Sequence, residues 1–244
     1  MNANKNYYLT GPELALCCAA VGVRMLPCFS GLHTTPSAEE TAEAACAMTG
    51  RGLLTGGTGS ALLLCPELTE IFRTVNESPR VVFVGQDDPN LPHCLLYGGP
   101  ERLALLWPGR DGRLGAAFCE AADAERWLAD AHLLLEDSLA PDLLETVSDA
   151  EREADLARCP EAVAFLRRYA FPGTQPLADG VPPELLRCAE IRRASDLKPL
   201  ARLLIARLPL YDHLIWGNEH GAADELYTQD RAAARVLALL SPCA

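Results

Sequence analysis

Apolar residues recur at helical spacing through the first eighty positions of the chain. A capping box, Thr10 with Glu13, precedes one such stretch, and Ser37 with Glu40 precedes the next. A glycine-rich run at 55–60 separates two leucine segments and predicts a hairpin. The three predicted helices carry these apolar faces: Leu14, Cys17, Cys18 and Val21; Thr41, Ala44, Ala45 and Met48; Leu68, Ile71, Phe72 and Val75. Helices followed by a small hairpin predict a winged-helix-like module.

From Arg80 onward, short apolar segments are separated by turn-forming residues, which is typical of antiparallel strands. A helix from Ala124 to Leu135 follows the first four strands. After another helix, which starts at Pro160, four more strands and a closing helix are predicted. The predicted strands are Val81–Val84, Cys94–Tyr97, Leu103–Trp107, Leu114–Cys119, Leu185–Ile191, Ala201–Arg207, His213–Trp216 and Glu225–Thr228.

The two strand-rich stretches have the same length and the same order of elements. Residues 80–135 and 185–240 each span 56 positions and each contain four strands before a helix. This match predicts an internal duplication whose halves superpose strand for strand. We therefore predict an α+β protein with a helical module (1–78), a first sheet plus helix (79–136), an acidic connector (137–158) and a second sheet plus helix (159–244).

Composition narrows the classes of partner. Of the 244 residues, 49% are apolar and the formal net charge is −12, so a large core is expected and nucleic acid is disfavoured. The third helix carries Arg73 against three glutamates, which argues against DNA binding by the winged-helix-like module. No apolar run approaches the length of a membrane span, and no signal-peptide pattern is visible. These features predict a cytoplasmic protein.

Cysteine and histidine are scattered along the chain. None of the ten cysteines forms a C-x-x-C pair and none of the five histidines forms a close pair, so we expect no metal, no cofactor and mostly buried, reduced thiols. The glycine-rich run lacks the lysine of a phosphate-binding loop, and no Gly-x-Ser-x-Gly occurs. The nearest polar constellation surrounds His213 and His220. We predict no catalytic residues, although a Cys–His pair assembled from distant positions, as in a hydrolase, stays open.

Positive charge is concentrated in one segment of this acidic chain. Between positions 187 and 207 lie six basic residues and two acidic ones. One interpretation is an exposed strand face kept soluble by charge. The other is a docking surface for an acidic protein partner, and it predicts partner binding by Arg192, Arg193, Arg202 and Arg207 on neighbouring exposed strands.

Motifs near the N-terminus resemble those of one protein family. The order of signals is Tyr8-Leu9-Thr10-Gly11-Pro12-Glu13-Leu14, then Leu26-Pro27, then Met48-Thr49-Gly50-Arg51-Gly52-Leu53-Leu54, then Pro66-Glu67-Leu68. This order resembles the N-terminal part of the EspG-like chaperones of type VII (ESX) secretion systems. The resemblance implies a pseudo-symmetric α+β fold with a central antiparallel sheet and a cytosolic chaperone that binds a helical substrate pair. A regulatory ligand-binding protein and a Cys-dependent hydrolase are the alternatives.

Overall fold

The computed structural model of the chain describes residues 6–24, 26, 35–56, 62–85, 93–98, 102–120, 123–130, 133–139, 147–175 and 180–240. Its helices pack on a nine-stranded antiparallel sheet, and a separate two-stranded sheet accompanies them, which confirms the α+β class. In chain order, the elements are β1 (Tyr7–Leu9), α1 (Gly11–Val21), α2 (Ala38–Gly50), β2 (Leu54–Gly56), β3 (Leu62–Leu64), α3 (Pro66–Glu77), β4 (Arg80–Gly85), β5 (Cys94–Gly98), β6 (Arg102–Pro108), β7 (Leu114–Glu120), α4 (Ala124–Asp130), α5 (Asp149–Leu156), α6 (Pro160–Tyr169), β8 (Leu185–Arg193), β9 (Pro199–Arg207), β10 (Asp212–Asn218), β11 (Gly221–Leu226) and α7 (Gln229–Leu240).

The predicted capping boxes are present and fix where the first two helices begin. The backbone N–H of Thr10 donates to the Glu13 carboxylate at 2.9 Å, and that of Ser37 donates to the Glu40 carboxylate at 2.7 Å. Each pairing satisfies donors that the first turn of a helix leaves unbonded. Gly22 ends α1 in the left-handed conformation, with φ at 85°.

The two predicted meanders are parts of one continuous sheet with the strand order β1-β7-β6-β5-β4-β8-β9-β10-β11. Strands β4 and β8 pair antiparallel at the centre, where Phe83 lies opposite Glu190 and Val82 opposite Ile191. Outward from this joint, the strands of the first meander follow in the order β4, β5, β6 and β7, and those of the second in the order β8, β9, β10 and β11. That the two halves superpose strand for strand stays a prediction, and so do the domain boundaries.

Both faces of the sheet are covered by helices. Alternate residues of each strand point to opposite faces, and α4 and α7 cover one face of both meanders with a shared core. On the other face, α1, α2 and α3 pack against the first meander and α6 packs against the second. We call these the α4/α7 face and the α1/α6 face. No helix in the described ranges is long and apolar enough to cross a membrane.

Two predicted boundaries require correction. Helix α4 ends at Asp130, and Leu133–Leu135 are buried without being helical. Strand β11 begins four residues earlier than predicted, because an edge strand with small residues lacks the alternating pattern that marks a half-buried strand. Within the predicted acidic connector, α5 is helical and Asp155 is completely buried.

Candidate functional site

Two of the predicted partner-binding arginines, Arg192 and Arg202, are brought together by one carboxylate. Glu190 on β8 lies directly across from Arg202 on β9 and two residues before Arg192, so all three side chains lie on the α1/α6 face. The Arg202 guanidinium donates to Glu190 Oε2 from Nε at 3.1 Å and from Nη2 at 2.5 Å. Arg192 donates to Glu190 Oε1 from Nε at 2.7 Å. We call these three residues the Glu190 cluster.

The Glu190 cluster also holds the loop that follows α6. Arg202 Nη1 donates to the carbonyl oxygens of Tyr169 and Thr174 at 2.8 and 2.7 Å, and the Gly173 N–H donates to Glu190 at 3.3 Å. Each guanidinium also stacks on an aromatic ring, Arg202 on Tyr169 at 4.4 Å and Arg192 on Phe83 at 4.2 Å. A buried ion pair stabilises a fold only when its remaining hydrogen bonds are made, and here they are.

This geometry corrects the expectation that all four arginines are exposed. The side chains of Arg202 and Arg192 are 2% and 14% exposed, because strand alternation points both into the α1/α6 face, Arg202 against the end of α6 and its following loop and Arg192 against Phe83. Glu190 precedes Arg192 by two residues, so both side chains lie on the same face of β8. This spacing was the signal in the sequence that a carboxylate could neutralise the arginines. Partner binding by these residues stays a prediction.

The other two arginines lie at opposite ends of the β8–β9 hairpin, since Arg193 ends β8 at the turn and Arg207 ends β9. Arg193 pairs with Asp196 at 2.9 Å in the exposed turn between β8 and β9. Arg207 ends β9 and donates to the carboxylate of Asp212 at 2.9 Å, and this hydrogen bond raises its pKa. Nine extended residues span about 26 Å at about 3.3 Å per residue, so the four arginines do not form one patch.

A second buried polar group lies where α5 meets the turn between β9 and β10. Asp155 accepts hydrogen bonds from the backbone N–H groups of Leu210 and Tyr211 at 3.0 and 3.1 Å. His213 Nε2 lies 3.2 Å from the same carboxylate, and both side chains are completely buried. Burial lowers the pKa of His213, and the hydrogen bond to Asp155 opposes that effect. His213 and His220, which the sequence placed in one polar constellation, therefore lie in different environments, since His220 is exposed.

Asp212 has a similar role next to this turn. Its carboxylate is fully buried and accepts the N–H of Leu139 at 2.7 Å, while its own N–H donates to the Leu139 carbonyl at 3.4 Å. Together, Asp155 and Asp212 fix the backbone of residues 139 and 210–212. Carboxylates that accept several N–H groups serve as structural anchors.

The outermost strands of the sheet have arginines at their open edges. Arg152 of α5 donates to the backbone carbonyl of Asp224 on β11 at 2.8 Å and to the Asp224 carboxylate at 3.0 Å. At the other edge, Arg51 reaches the Tyr8 carbonyl of β1 at 3.5 Å and pairs with Glu13. Charged side chains that cover the edge of a sheet disfavour the addition of a further strand.

The thiols and other polar side chains show no arrangement for metal binding within the described ranges, where no group of three or more His, Cys, Asp or Glu residues could hold an ion. Cys17, Cys94, Cys119 and Cys188 are buried and Cys46 is exposed; positions 28 and 243 lie outside the described residues. Burial raises the pKa of Cys94 to about 12, so this thiol is a weak nucleophile at neutral pH.

The exposed apolar side chains are the remaining candidates for partner contact. Leu63 is 54% exposed on the hairpin of β2 and β3, and the others are Tyr8, Leu139, Phe171 and Leu210. A depression between α3 and the first meander is lined by charged groups, but its two arginines, Arg73 and Arg102, both bind Glu70. Both arginines of this depression are therefore already paired with a carboxylate.

Comparison with known proteins yields no matching family model and no matching curated protein. Among solved structures, the chain is similar to the Mycobacterium tuberculosis type VII secretion system chaperone EspG5, in a structure of its complex with the PE25–PPE41 dimer. The TM-score is 0.53 at 10% sequence identity, and the match covers 97% of this chain and 96% of that chain. At this identity the likeness concerns the fold, and it extends over nearly the whole length of both proteins.

Proposed function

We propose that this chain is a non-catalytic, cytoplasmic chaperone or adaptor that binds a helical protein pair before the pair is secreted. The observation that carries the proposal is the likeness of fold over 97% of the chain to a secretion chaperone captured with a protein dimer. The N-terminal motifs that resemble the EspG-like chaperones point independently to the same class.

The roles of the buried ionisable residues support this proposal. Glu190 and Arg202 hold the loop after α6, and Asp155 and Asp212 hold the turn between β9 and β10. His213, the histidine with a lowered pKa, is completely buried against Asp155. A general acid or base must reach its substrate within hydrogen-bonding distance, and a side chain with no exposed surface does not. These groups therefore serve the fold.

Half-exposed apolar side chains, two of them on backbone that buried carboxylates hold, provide the second line of support. Leu63, Leu139, Phe171 and Leu210 are each at least 40% exposed. A protein that shields the apolar surface of a partner needs side chains of this kind, presented without a large cost of ordering on binding.

Co-expression provides the test. The chain is produced with a pair of helical secretion proteins encoded beside its gene, and the complex is analysed by size-exclusion chromatography with light scattering. We expect one copy of the chain to co-elute with one pair, and we expect more of the pair to be soluble than without the chain. The proposal is overturned if the pair is soluble alone and elutes apart from the chain at about 10 µM, where a micromolar affinity gives a mostly bound population.

A further inference from the structure

Helix α5 is attached to the sheet mainly by polar side chains. Of its eight residues, Asp155 and Leu156 are buried, and Leu156 packs in a small cluster with Val163 and Leu208. Its other contacts with the sheet are ionic or hydrogen-bonded, from Asp155 to the turn between β9 and β10 and from Arg152 to β11. An element that buries so little apolar surface opens at a lower free energy than the core of the fold, and a helix this short is not stable on its own.

His213 of β10 lies beneath α5 and is completely buried. The Asp155 carboxylate accepts two backbone N–H groups, and the His213 ring donates to it from Nε2 at 3.2 Å. The proton of the neutral imidazole is therefore on Nε2. The other ring nitrogen, Nδ1, is buried and has no hydrogen-bond partner among the residues that the structure describes. A second proton would make Nδ1 a buried donor without an acceptor, which disfavours the docked arrangement.

Charged groups of three elements surround His213. They are Asp155 and Arg152 of α5, Asp224 of β11, and Arg167 of α6, which pairs with Asp224 at 3.1 Å. The ion pair of Arg207 and Asp212 lies on the opposite face of the sheet, because consecutive residues of a strand alternate between faces. The carboxylates favour a proton on His213, but burial is the largest effect and opposes it, as does the Arg152 guanidinium. The pKa of His213 is therefore lowered.

We propose that α5 is a strap over the edge of β11 whose docking is weakened when His213 takes up a proton. We call Asp149–Leu156 the α5 strap. Release gives the imidazole access to water, where it binds a proton more tightly than in the docked state, so a lower pH favours release. The released strap no longer holds Arg152 against the Asp224 carbonyl at 2.8 Å, and the open edge of β11 loses its charged cover. This inference concerns regulation and does not depend on the proposed function.

Amide hydrogen exchange followed by NMR measures release directly, because the N–H groups of Leu210 and Tyr211 donate to Asp155 of the strap. We call these two N–H groups the reporter amides. Their protection factors, which correct for the chemical dependence of exchange on pH, are compared at about pH 7.5 and about pH 5.5. Uptake of one proton with the ordinary histidine pKa of about 6.5 lowers them by up to about tenfold.

Val82 supplies the reference amide, because its strand β4 is paired on both sides. The reporter amides should be less protected than Val82 at both pH values, since the strap opens without the sheet. Added urea should accelerate exchange at Val82 but barely change it at the reporter amides, because local opening exposes little surface. These comparisons use the wild-type protein alone, so they hold even if a variant does not fold.

Two variants and a matched control identify the groups responsible. His213→Gln keeps a side-chain amide that can donate to Asp155 but takes up no proton in this range of pH, so the fall in protection should disappear. His220→Gln is the matched control, since His220 is exposed, and it should keep the fall. Arg152→Ala removes the contact of the strap with β11 and should lower the protection of the reporter amides already at neutral pH.

Three results overturn the inference. Equal protection of the reporter amides and Val82 in the wild type would show that the strap leaves only when the whole protein unfolds. A fall in protection that persists undiminished in His213→Gln would assign the pH dependence to another group. Unchanged protection of the reporter amides in Arg152→Ala would show that the contact with β11 does not hold the strap in place.

Discussion

Replacing Glu190 by alanine removes the carboxylate that Arg192 and Arg202 share. Arg202 then remains beneath α6 with a side chain only 2% exposed and without its counterion. Its Nη1 contacts with the carbonyls of Tyr169 and Thr174 persist, but carbonyl dipoles do not neutralise a full charge. The Glu190→Ala variant is therefore expected to be strongly destabilised.

The loss follows from the burial of the pair. Removing one partner of a buried ion pair costs about 3–5 kcal/mol, because the other charge is left uncompensated. For a domain of this size, about 1 kcal/mol lowers the unfolding temperature by roughly 2–4 °C, so a decrease of roughly 6–20 °C is expected. The exposed pair Arg193–Asp196 serves as the control, since both side chains are nearly half exposed and such pairs contribute about 0–1 kcal/mol.

Urea unfolding followed by circular dichroism measures both free energies. The midpoint of Glu190→Ala should fall with little change in slope, while that of Arg193→Ala should stay close to the wild type. Glu190→Leu/Arg202→Met removes both charges of the fully buried pair, whereas Arg192 loses the Glu190 carboxylate in this variant and in Glu190→Ala alike. The double variant should therefore be more stable than Glu190→Ala, because a buried apolar pair needs no counterion. Equal losses in Glu190→Ala and Arg193→Ala would show that the cluster does not neutralise a buried charge.

Three further predictions concern thiols, pH and packing. Cys46 is exposed and should react with a thiol reagent within the mixing time at about pH 8, whereas Cys94 should react only on unfolding, because it is buried and its pKa is raised to about 12. Rapid labelling of Cys94 in the native protein refutes this prediction. Because burial lowers the pKa of His213, the unfolded state binds a proton more tightly at this histidine than the folded state does. The free energy of unfolding should therefore fall as the pH decreases through about 6.5, and it should fall less in His213→Gln. The prediction is contradicted if the free energy of unfolding depends on pH identically in both proteins between about pH 7.5 and about pH 5. A Cβ atom at Gly115 would lie 2.0 Å from Trp107 Cε2, so Gly115→Ala should lower the free energy of unfolding by about 1–3 kcal/mol and shift the tryptophan emission. An unchanged emission spectrum and an unchanged unfolding midpoint would argue that Trp107 moves freely.

Much of the fold follows from local signals in the sequence. The capping boxes at Thr10 and Ser37 predicted where α1 and α2 begin, because both of their partners lie within four residues. The strands of the first meander were predicted because apolar runs between Pro- and Gly-rich turns are typical of buried strands. The α+β class was therefore predictable from one sequence.

The environment of the arginines was not predictable from local signals. Whether Arg202 is exposed depends on α6 and its following loop, which approach from positions 169–174. Asp155 looked like one more solvated acid, because the backbone donors that bury it lie 55 and 56 residues further along the chain. Long-range contacts of this kind decide burial, and composition within one segment carries no information about them.

The joint between β4 and β8 has a consequence for how the chain reaches its native state. Phe83 and Glu190 face each other across this joint, although positions 83 and 190 are 107 residues apart. During synthesis, β4 therefore leaves the ribosome long before β8 does. Until β8 follows, one edge of this apolar strand has no strand to pair with. Contacts of such high sequence separation form late and slowly. The central pairing of the sheet is thus the step at which incomplete chains are most exposed to association with one another.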